Sequence, residues 1–325
     1  VKGWEKVTND TWKVTLPNSF FGDFNPYRDV IGGDWFYGYR RAHHTGVVYL
    51  DGDWLIEAAN LAALMQPVGK MPFWFGGVDA TNTTIWAQLK GVNPNDTGIE
   101  INARKTVFTP AKTGINYITV RGFTMRNAAT PWASPTAGQI GLVSAFWCKG
   151  WIIESNDIAY SKCSGITLGK YSDNWDNRAG SAAGYVGTVT RALPNGWSKA
   201  TVGSHIVRNN HIHHCEQTGI VGSLGCSFST ITGNVIHDIY VRQHFAGLEM
   251  AGIKFHGAID VTISNNHIYR CGGLGGIWLD WMAQGAQVTG NLMHDNQWDD
   301  IFCEMQHGPL LIANNVFLSN LQRAI

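Results

Sequence analysis

Charge is scarce in this sequence. Asp, Glu, Lys and Arg make up 15% of its 325 residues, and the two signs cancel to a formal net charge of zero. A neutral chain carries no electrostatic footprint for nucleic acid or for an anionic membrane surface, so neither is expected as a partner. Long apolar runs are missing as well, since none reaches the ~18 residues of a membrane-spanning helix. No targeting pattern opens the chain, which starts at Val1 and stops at Ile325 inside a repeat. It is therefore expected to be a piece of a longer polypeptide with further C-terminal coils. The six cysteines include no CxxC pair, which argues against a zinc or redox centre; no metal and no cofactor are expected. Cys163, Cys215 and Cys271 each precede a Gly-Ile strand and read as buried free thiols acting as small hydrophobes. That reading favours a reducing, cytoplasmic compartment.

Glycine and tryptophan, by contrast, are abundant, at 38 and 14 residues, which suits a turn-rich β protein with an aromatic surface for sugars. One short pattern is written three times, as Gly252-Ile-Lys-Phe-His256, Gly276-Ile-Trp-Leu-Asp280 and Asp300-Ile-Phe-Cys-Glu304, each 24 residues after the last. A second marker, Asn234, Asn266, Asn291 and Asn315, recurs at spacings of 32, 25 and 24, with Asn156 and Asn210 further back. Short Ile/Val/Thr runs at a fixed period predict a right-handed parallel β-helix, one coil per repeat. The recurring Asn reads as a turn residue in a left-handed conformation. Residues 170–203 and 240–250 interrupt the period, and insertions in a solenoid usually build the binding face.

Residues 1–108 lack the Asn marker. Alternating runs at Thr11–Leu16, Gly46–Leu50 and Thr84–Leu89 lie between turns rich in Gly, Asn, Asp and Pro, so a β-sandwich-like domain is expected there. Residues 109–325 are expected to form the β-helix, and Leu55–Met65 a short helix.

Strand alternation then selects a site. Ile253, Ile277 and Ile301 face inward, followed by Phe255, Leu279 and Cys303. Lys254, Trp278 and Phe302, and then His256, Asp280 and Glu304, face outward. Stacked coils lie roughly 4.8 Å apart, which places the Asp280 and Glu304 carboxyls at about the 5 Å spacing of a retaining glycosidase. Two stacked acids on a solenoid are otherwise an ordinary solvated face, but these two lie among Trp278, Trp281, Trp298 and Phe302. Like charges that close in an apolar setting drive their pKa values apart.

The runs GIWLDWMAQG (Gly276–Gly285) and FxExxHGP (Phe302–Pro309) resemble glycoside hydrolase family 120. So do WKVTLPNSFFGDFNPY (Trp12–Tyr27), HHTGVVYL (His43–Leu50), TGINYITVRGFTMRNAATPWA (Thr113–Ala133) and SKCSGITLGKY (Ser161–Tyr171). The resemblance covers nearly the whole chain. It implies an all-β protein with a right-handed parallel β-helix and a β-sandwich domain, acting as a retaining β-xylosidase on xylo-oligosaccharides or related small glycosides. It places the nucleophile at Asp280 and the acid/base at Glu304. The glycine-rich Gly272–Gly276 before the nucleophile strand departs from the shorter turn expected of the family, which bears on the neighbouring subsite. Lys254 is expected to hold the charge of Asp280. Glu249 and His256 are expected to bind sugar hydroxyls, Trp132 and Trp281 to stack on sugar faces, and His307 to position Glu304 or donate to the sugar. Two other readings of a β-helix remain open from the residues: a polysaccharide lyase, which needs a basic proton abstractor and a calcium-binding acid cluster, and a non-catalytic carbohydrate-binding solenoid. The sequence carries no Asp-rich calcium loop, and a binding solenoid does not require stacked acids.

Overall fold

Three parallel sheets run along residues 106–325, one strand of each per coil. The computed structural model describes residues 1–325 except 9, 67–70 and 320–321. The first sheet stacks seven strands from Thr119–Arg121 to Leu310–Ala313, and the second seven from Thr124–Arg126 to Val316–Leu318. The third stacks six, from Val143–Ser144 through Ser164–Thr167, Thr218–Ser223, Ala251–His256 and Gly275–Leu279 to Asp299–Cys303. Each sheet has an inward column in register. Val120, Ile153, Val207, Ile231, Ile263 and Val288 form one, and Ile166, Ile220, Ile253, Ile277 and Ile301 another. All of these residues are buried. A coil cannot bury this stripe alone, which is why the sequence repeats it. The glycine before the isoleucine is required by stacking, because a Cβ at Gly252 would lie 2.7 Å from the Gly276 carbonyl oxygen of the next coil.

The Asn marker has a different job from the one its sequence suggests. The left-handed residue at that corner is the one before it: Ser155, Asn209, Gly233, Asn265, Gly290 and Asn314 all have φ between 55° and 68°. The Asn itself is an interior amide. Asn234 donates from its backbone N–H to Asn266 Oδ1 (3.0 Å), and from Nδ2 to the same oxygen (2.9 Å) and to the Val207 carbonyl (3.0 Å). The pattern repeats from Asn156 through Asn210, Asn234, Asn266 and Asn291 to Asn315. Corner backbone groups that no sheet can pair are satisfied this way. Asn266→Ala removes the acceptor of two Asn234 donors and the donor of the Ile231 carbonyl. Buried orphans cost about 1–3 kcal/mol each, so we expect a loss of about 3 kcal/mol or more in the urea-unfolding free energy. A loss below about 1 kcal/mol would mean that water replaces the ladder at no cost.

The other compact unit comprises Val1–Ile31, Gly38–Lys105 and Asn127–Ala129. It holds a five-stranded sheet, in the order Glu5–Lys6, Thr11–Pro17, Asn82–Gln88, Phe73–Val78 and Ile56–Glu57, and a three-stranded sheet of Asp53–Trp54, Val48–Leu50 and Ile99–Ile101. Val14, Tyr27, Val48, Trp74, Ile85 and Ile99 belong to its core. Tyr27 donates its buried hydroxyl to the Val47 carbonyl at 2.8 Å. The helix expected over Leu55–Met65 is only Leu61–Met65, capped by the Asn60 side chain. Ile56–Glu57 instead extend as a strand paired with Phe73–Trp74. Residues Gly32–Tyr37, early in the chain, group with the coils, because Phe36–Tyr37 pair antiparallel with Ala246–Gly247 of the second insertion.

The first insertion is where the period breaks most. It contains a helix, Ala182–Ala192, whose N-cap Ser181 accepts the Gly184 N–H. Its side chains Tyr185, Thr188 and Ala192 are buried at helical spacing. All six cysteines are free, and five are buried. Burial pushes the Cys215 thiol up to about 12, so it packs as an uncharged group.

Candidate active site

The outer face of the third sheet carries the site. Strand pairing sets Lys254 beside Trp278 and Trp278 beside Phe302, with Phe255, Leu279 and Cys303 in the next register. Asp280 and Glu304 therefore follow Leu279 and Cys303 at equivalent places on consecutive coils. Each is held by a backbone hydrogen bond to the coil before it: Asp280 N–H to the Phe255 carbonyl (2.8 Å) and Glu304 N–H to the Leu279 carbonyl (2.9 Å). Both acids line a cleft of about 380 Å³, together with Glu249, His256, Trp278, Trp281, Tyr185 and Trp35.

Asp280 is the most constrained group in the cleft. Its Oδ2 accepts from Lys254 Nζ at 2.5 Å and lies 3.0 Å from His256 Nε2, while Oδ1 accepts the Trp281 N–H at 2.7 Å. An ionised carboxylate has about four acceptor directions, so one stays free to face the cleft. Burial alone would raise its pKa; Lys254 first, and then His256, outweigh that and hold the carboxyl well below the usual range. Lys254 itself is fully buried. Its ammonium also lies 3.2 Å from Glu249 Oε2 and 3.0 Å from the centre of the Trp278 ring. A buried ammonium needs such partners to stay charged.

Glu304 is displaced the other way. Burial and then the charge of Asp280 raise its pKa, against the opposing pull of Lys254, His256 and the Trp278 indole. Glu249 is raised too, first by burial, with Lys254 and His256 opposing. The cleft thus holds one carboxylate fixed as an anion and a facing carboxyl biased toward its protonated form, the pairing that separates a nucleophile from a proton donor. The donor atoms of Glu249, His256 and Asp280 lie within 4.8 Å of one another, a cluster that suits a cation. Lys254 Nζ already contacts both carboxylates there, so the place of a cation is taken by the ammonium.

Six of the eight residues singled out in the sequence meet at this place: Glu249, Lys254, His256, Asp280, Trp281 and Glu304. Trp132 does not line the cleft. Its ring is 2% exposed, packed on Phe36 and Phe245 at 5.4 and 6.1 Å, with the indole N–H donating to the Asp34 carbonyl at 2.9 Å. It fastens the Asp34–Phe36 segment to the second insertion, a packing role. His307 is exposed and lies outside the cleft as well. The neighbour that braces Glu304 is Gln306, whose Nε2 donates to the Glu304 and Leu279 carbonyls at 2.9 Å.

Tyr185, Trp35, Leu248 and Leu274 line the cleft without having been singled out. Tyr185 packs on the His256 ring at 4.8 Å and edge-on to Trp281 at 6.0 Å. Its position was partly signalled, since the 170–203 insertion marks the binding face and Ser181 is a good N-cap. Leu274 comes from the glycine-rich turn that stands out in the sequence.

Residues 1–101 match the family described as glycoside hydrolase 120, insertion domain, and residues 194–325 match the right handed beta helix region. A solved structure of XylC in complex with xylose is 42% identical, superposes with a TM-score of 0.94 and is matched by 99% of this chain. This chain spans 54% of that one. A second structure, described as a glycoside hydrolase, is 10% identical with a TM-score of 0.52, covering 97% of this chain and 81% of its own; it shares the fold. No curated protein matches the chain. With the insertion domain of glycoside hydrolase 120 matched at one end, β-helix coils at the other, and a structure this similar along 99% of its length, the chain is similar throughout to proteins of glycoside hydrolase family 120.

Proposed function

We propose that this chain carries the catalytic centre of a retaining β-xylosidase that releases xylose from the non-reducing end of β-1,4-xylo-oligosaccharides, as in xylan degradation. One observation carries the mechanism: two carboxyls at equivalent places on consecutive coils open into one cleft, one held as an anion and the other biased toward the acid. The sugar is supported by the xylose in the similar XylC structure.

In the first step Glu304 gives its proton to the leaving-group oxygen while Asp280 attacks the anomeric carbon. The C–O bond to the leaving group breaks and a covalent glycosyl-enzyme forms. In the second step Glu304, now a base, takes a proton from water, which displaces Asp280 and restores the original configuration. Lys254 and His256 keep Asp280 ionised, and Glu249 accepts from sugar hydroxyls. Trp281 and Tyr185 offer aromatic faces and edges to the ring.

The test is a panel of aryl glycosides, with the first-formed anomer read by proton NMR. Aryl β-xyloside should be the preferred substrate and β-xylose the initial product. An initial α-anomer would replace the double displacement with inversion, an unsaturated uronate chromophore would make the protein a lyase, and binding without turnover would make it a binding module.

The pH profile offers a second check. Activity needs Asp280 deprotonated and Glu304 protonated, so kcat/KM rises as pH climbs through the first pKa and falls as it climbs through the second. Lys254 lowers both. In Lys254→Met, both limbs of the bell should therefore move to higher pH, with a lower maximum. Limbs that stay in place would show that Lys254 does not govern the charge state of the pair.

A further inference from the structure

The outer face of the second sheet carries a different assembly, independent of the cleft. His213, His237, Tyr269 and His294 stack in one column at 5.1, 4.8 and 4.9 Å, with neighbouring planes 3°, 13° and 8° apart. Beside it runs a column of Asp157, His211, Val235, His267 and Leu292. These residues lie far apart in sequence and meet only because the coils stack.

Hydrogen bonds fix the tautomers. His237 Nδ1 lies 2.6 Å from Asp238 Oδ2, a carboxylate that can only accept, so the proton sits on Nδ1. His237 Nε2 is then an acceptor. His211 Nε2, 2.7 Å away, must be the donor. In the neutral imidazole that leaves His211 Nδ1 with a lone pair, and it faces Asp157 Oδ2 at 3.5 Å. His213 Nε2 faces Asp157 Oδ1 at 3.7 Å. Both distances are too long for N–H···O bonds, which run about 2.7–3.2 Å. The His211 distance, to Oδ2, lies near the edge of a tetrahedron around a cation with metal–ligand bonds of roughly 2.0–2.1 Å, an edge of roughly 3.3–3.4 Å, and His213 Nε2 approaches the same carboxylate. A lone pair aimed at an anion is repulsive unless a positive charge sits between them.

We propose that Asp157, His211 and His213 form a divalent transition-metal site, of zinc type, that clamps two consecutive coils together at their outer face. The donor atoms of the three lie within 4.8 Å of one another. Two imidazoles and a carboxylate suit Zn²⁺ better than Ca²⁺ or Mg²⁺, which take oxygen ligands. His237 and Asp238 supply the outer relay that orients a ligating imidazole, and Arg270 in turn holds Asp238 at 2.6 Å. The Asp157 and His211 side chains are 31% and 46% exposed, which gives an ion access. Arg126 NH2 reaches Asp157 Oδ1 at 3.3 Å, so Oδ2 is the oxygen left for the ion.

The fold contains its own control. His267 and His294 repeat the His211–His237 contact, with Nε2 atoms 2.8 Å apart and His294 Nδ1 2.7 Å from Asp295 Oδ2, but Tyr269 stands where His213 would supply the second ligand. No third ligand completes that pair among the described residues. Titrating chelator-stripped protein with Zn²⁺ by calorimetry should show one saturable site per chain, and Zn²⁺ should raise the melting temperature. Co²⁺ should give the visible absorption of a four-coordinate ion. Asp157→Ala and His213→Ala should each weaken Zn²⁺ binding at least about 100-fold, and His237→Phe by about 10–100-fold through the lost relay. His294→Ala and Asp280→Asn should leave binding unchanged. Absence of saturable binding by the native protein would overturn the proposal. So would binding that survives Asp157→Ala and His213→Ala, or that is lost in His294→Ala or Asp280→Asn.

Discussion

Asp280→Ala should lose at least about 10⁴-fold in kcat on every glycoside, activated or not. No other group in the cleft is placed to replace it. Glu249 is held against Lys254 and biased toward protonation, and Glu304 is on the next coil with the proton-donor bias. A good leaving group cannot rescue a step that lacks its nucleophile, so aryl xylosides should fail as completely as xylobiose. The substitution also leaves Lys254 buried with Glu249 as its remaining carboxylate partner. Removing one member of a buried pair costs about 3–5 kcal/mol, so the melting temperature should fall as well. Asp280→Asn separates the two effects. It keeps the shape and an oxygen that can accept from Lys254, and should be equally inactive at a smaller cost in stability. Added azide should restore some turnover to Asp280→Ala by direct attack on the vacated face and give the inverted glycosyl azide. Wild-type rates in either variant would place the chemistry elsewhere.

That expectation was legible in the sequence because stacking turns a 24-residue period into a distance of one strand spacing. Once Ile253, Ile277 and Ile301 are set inward, alternation leaves no freedom about Lys254, His256, Asp280 and Glu304. What stayed hidden belongs to segments with no period. Tyr185 sits on a helix inside an insertion, and Trp35 comes from residues that pair with the other insertion. Nothing local marks either as part of the cleft. Trp132 shows the converse. A tryptophan in a sugar-handling chain invites a stacking role, but burial and an indole hydrogen bond are tertiary facts. The Asn marker locates the corner but not its left-handed residue, since a residue that follows a left-handed turn and one that makes the turn leave the same trace in a repeat. His211 and His213 lie in a strand that alternates like any other, and their meeting with Asp157 depends on a 54-residue gap between adjacent coils.

Glu304→Ala should sort substrates by leaving group. Glycosidic oxygens of xylobiose are poor leaving groups and need the proton that Glu304 supplies, so their turnover should drop by about 10²–10⁴-fold. An activated phenol leaves without it, and the first step on such an aryl xyloside should survive. The second step then lacks its base, because water must be deprotonated as it attacks. The glycosyl-enzyme on Asp280 should accumulate, visible as a burst of phenol and as a mass increase of the protein. Azide needs no base. It should relieve the block on the aryl substrate and yield a glycosyl azide of retained configuration, opposite to the product from Asp280→Ala. The raised pKa of Glu304, set by burial and by the charge of Asp280, supplies a further sign. The native basic limb should disappear from the aryl-substrate profile of Glu304→Ala, since no proton donor is left to titrate. If the two azide products are exchanged between the variants, Asp280 is the acid/base and Glu304 the nucleophile.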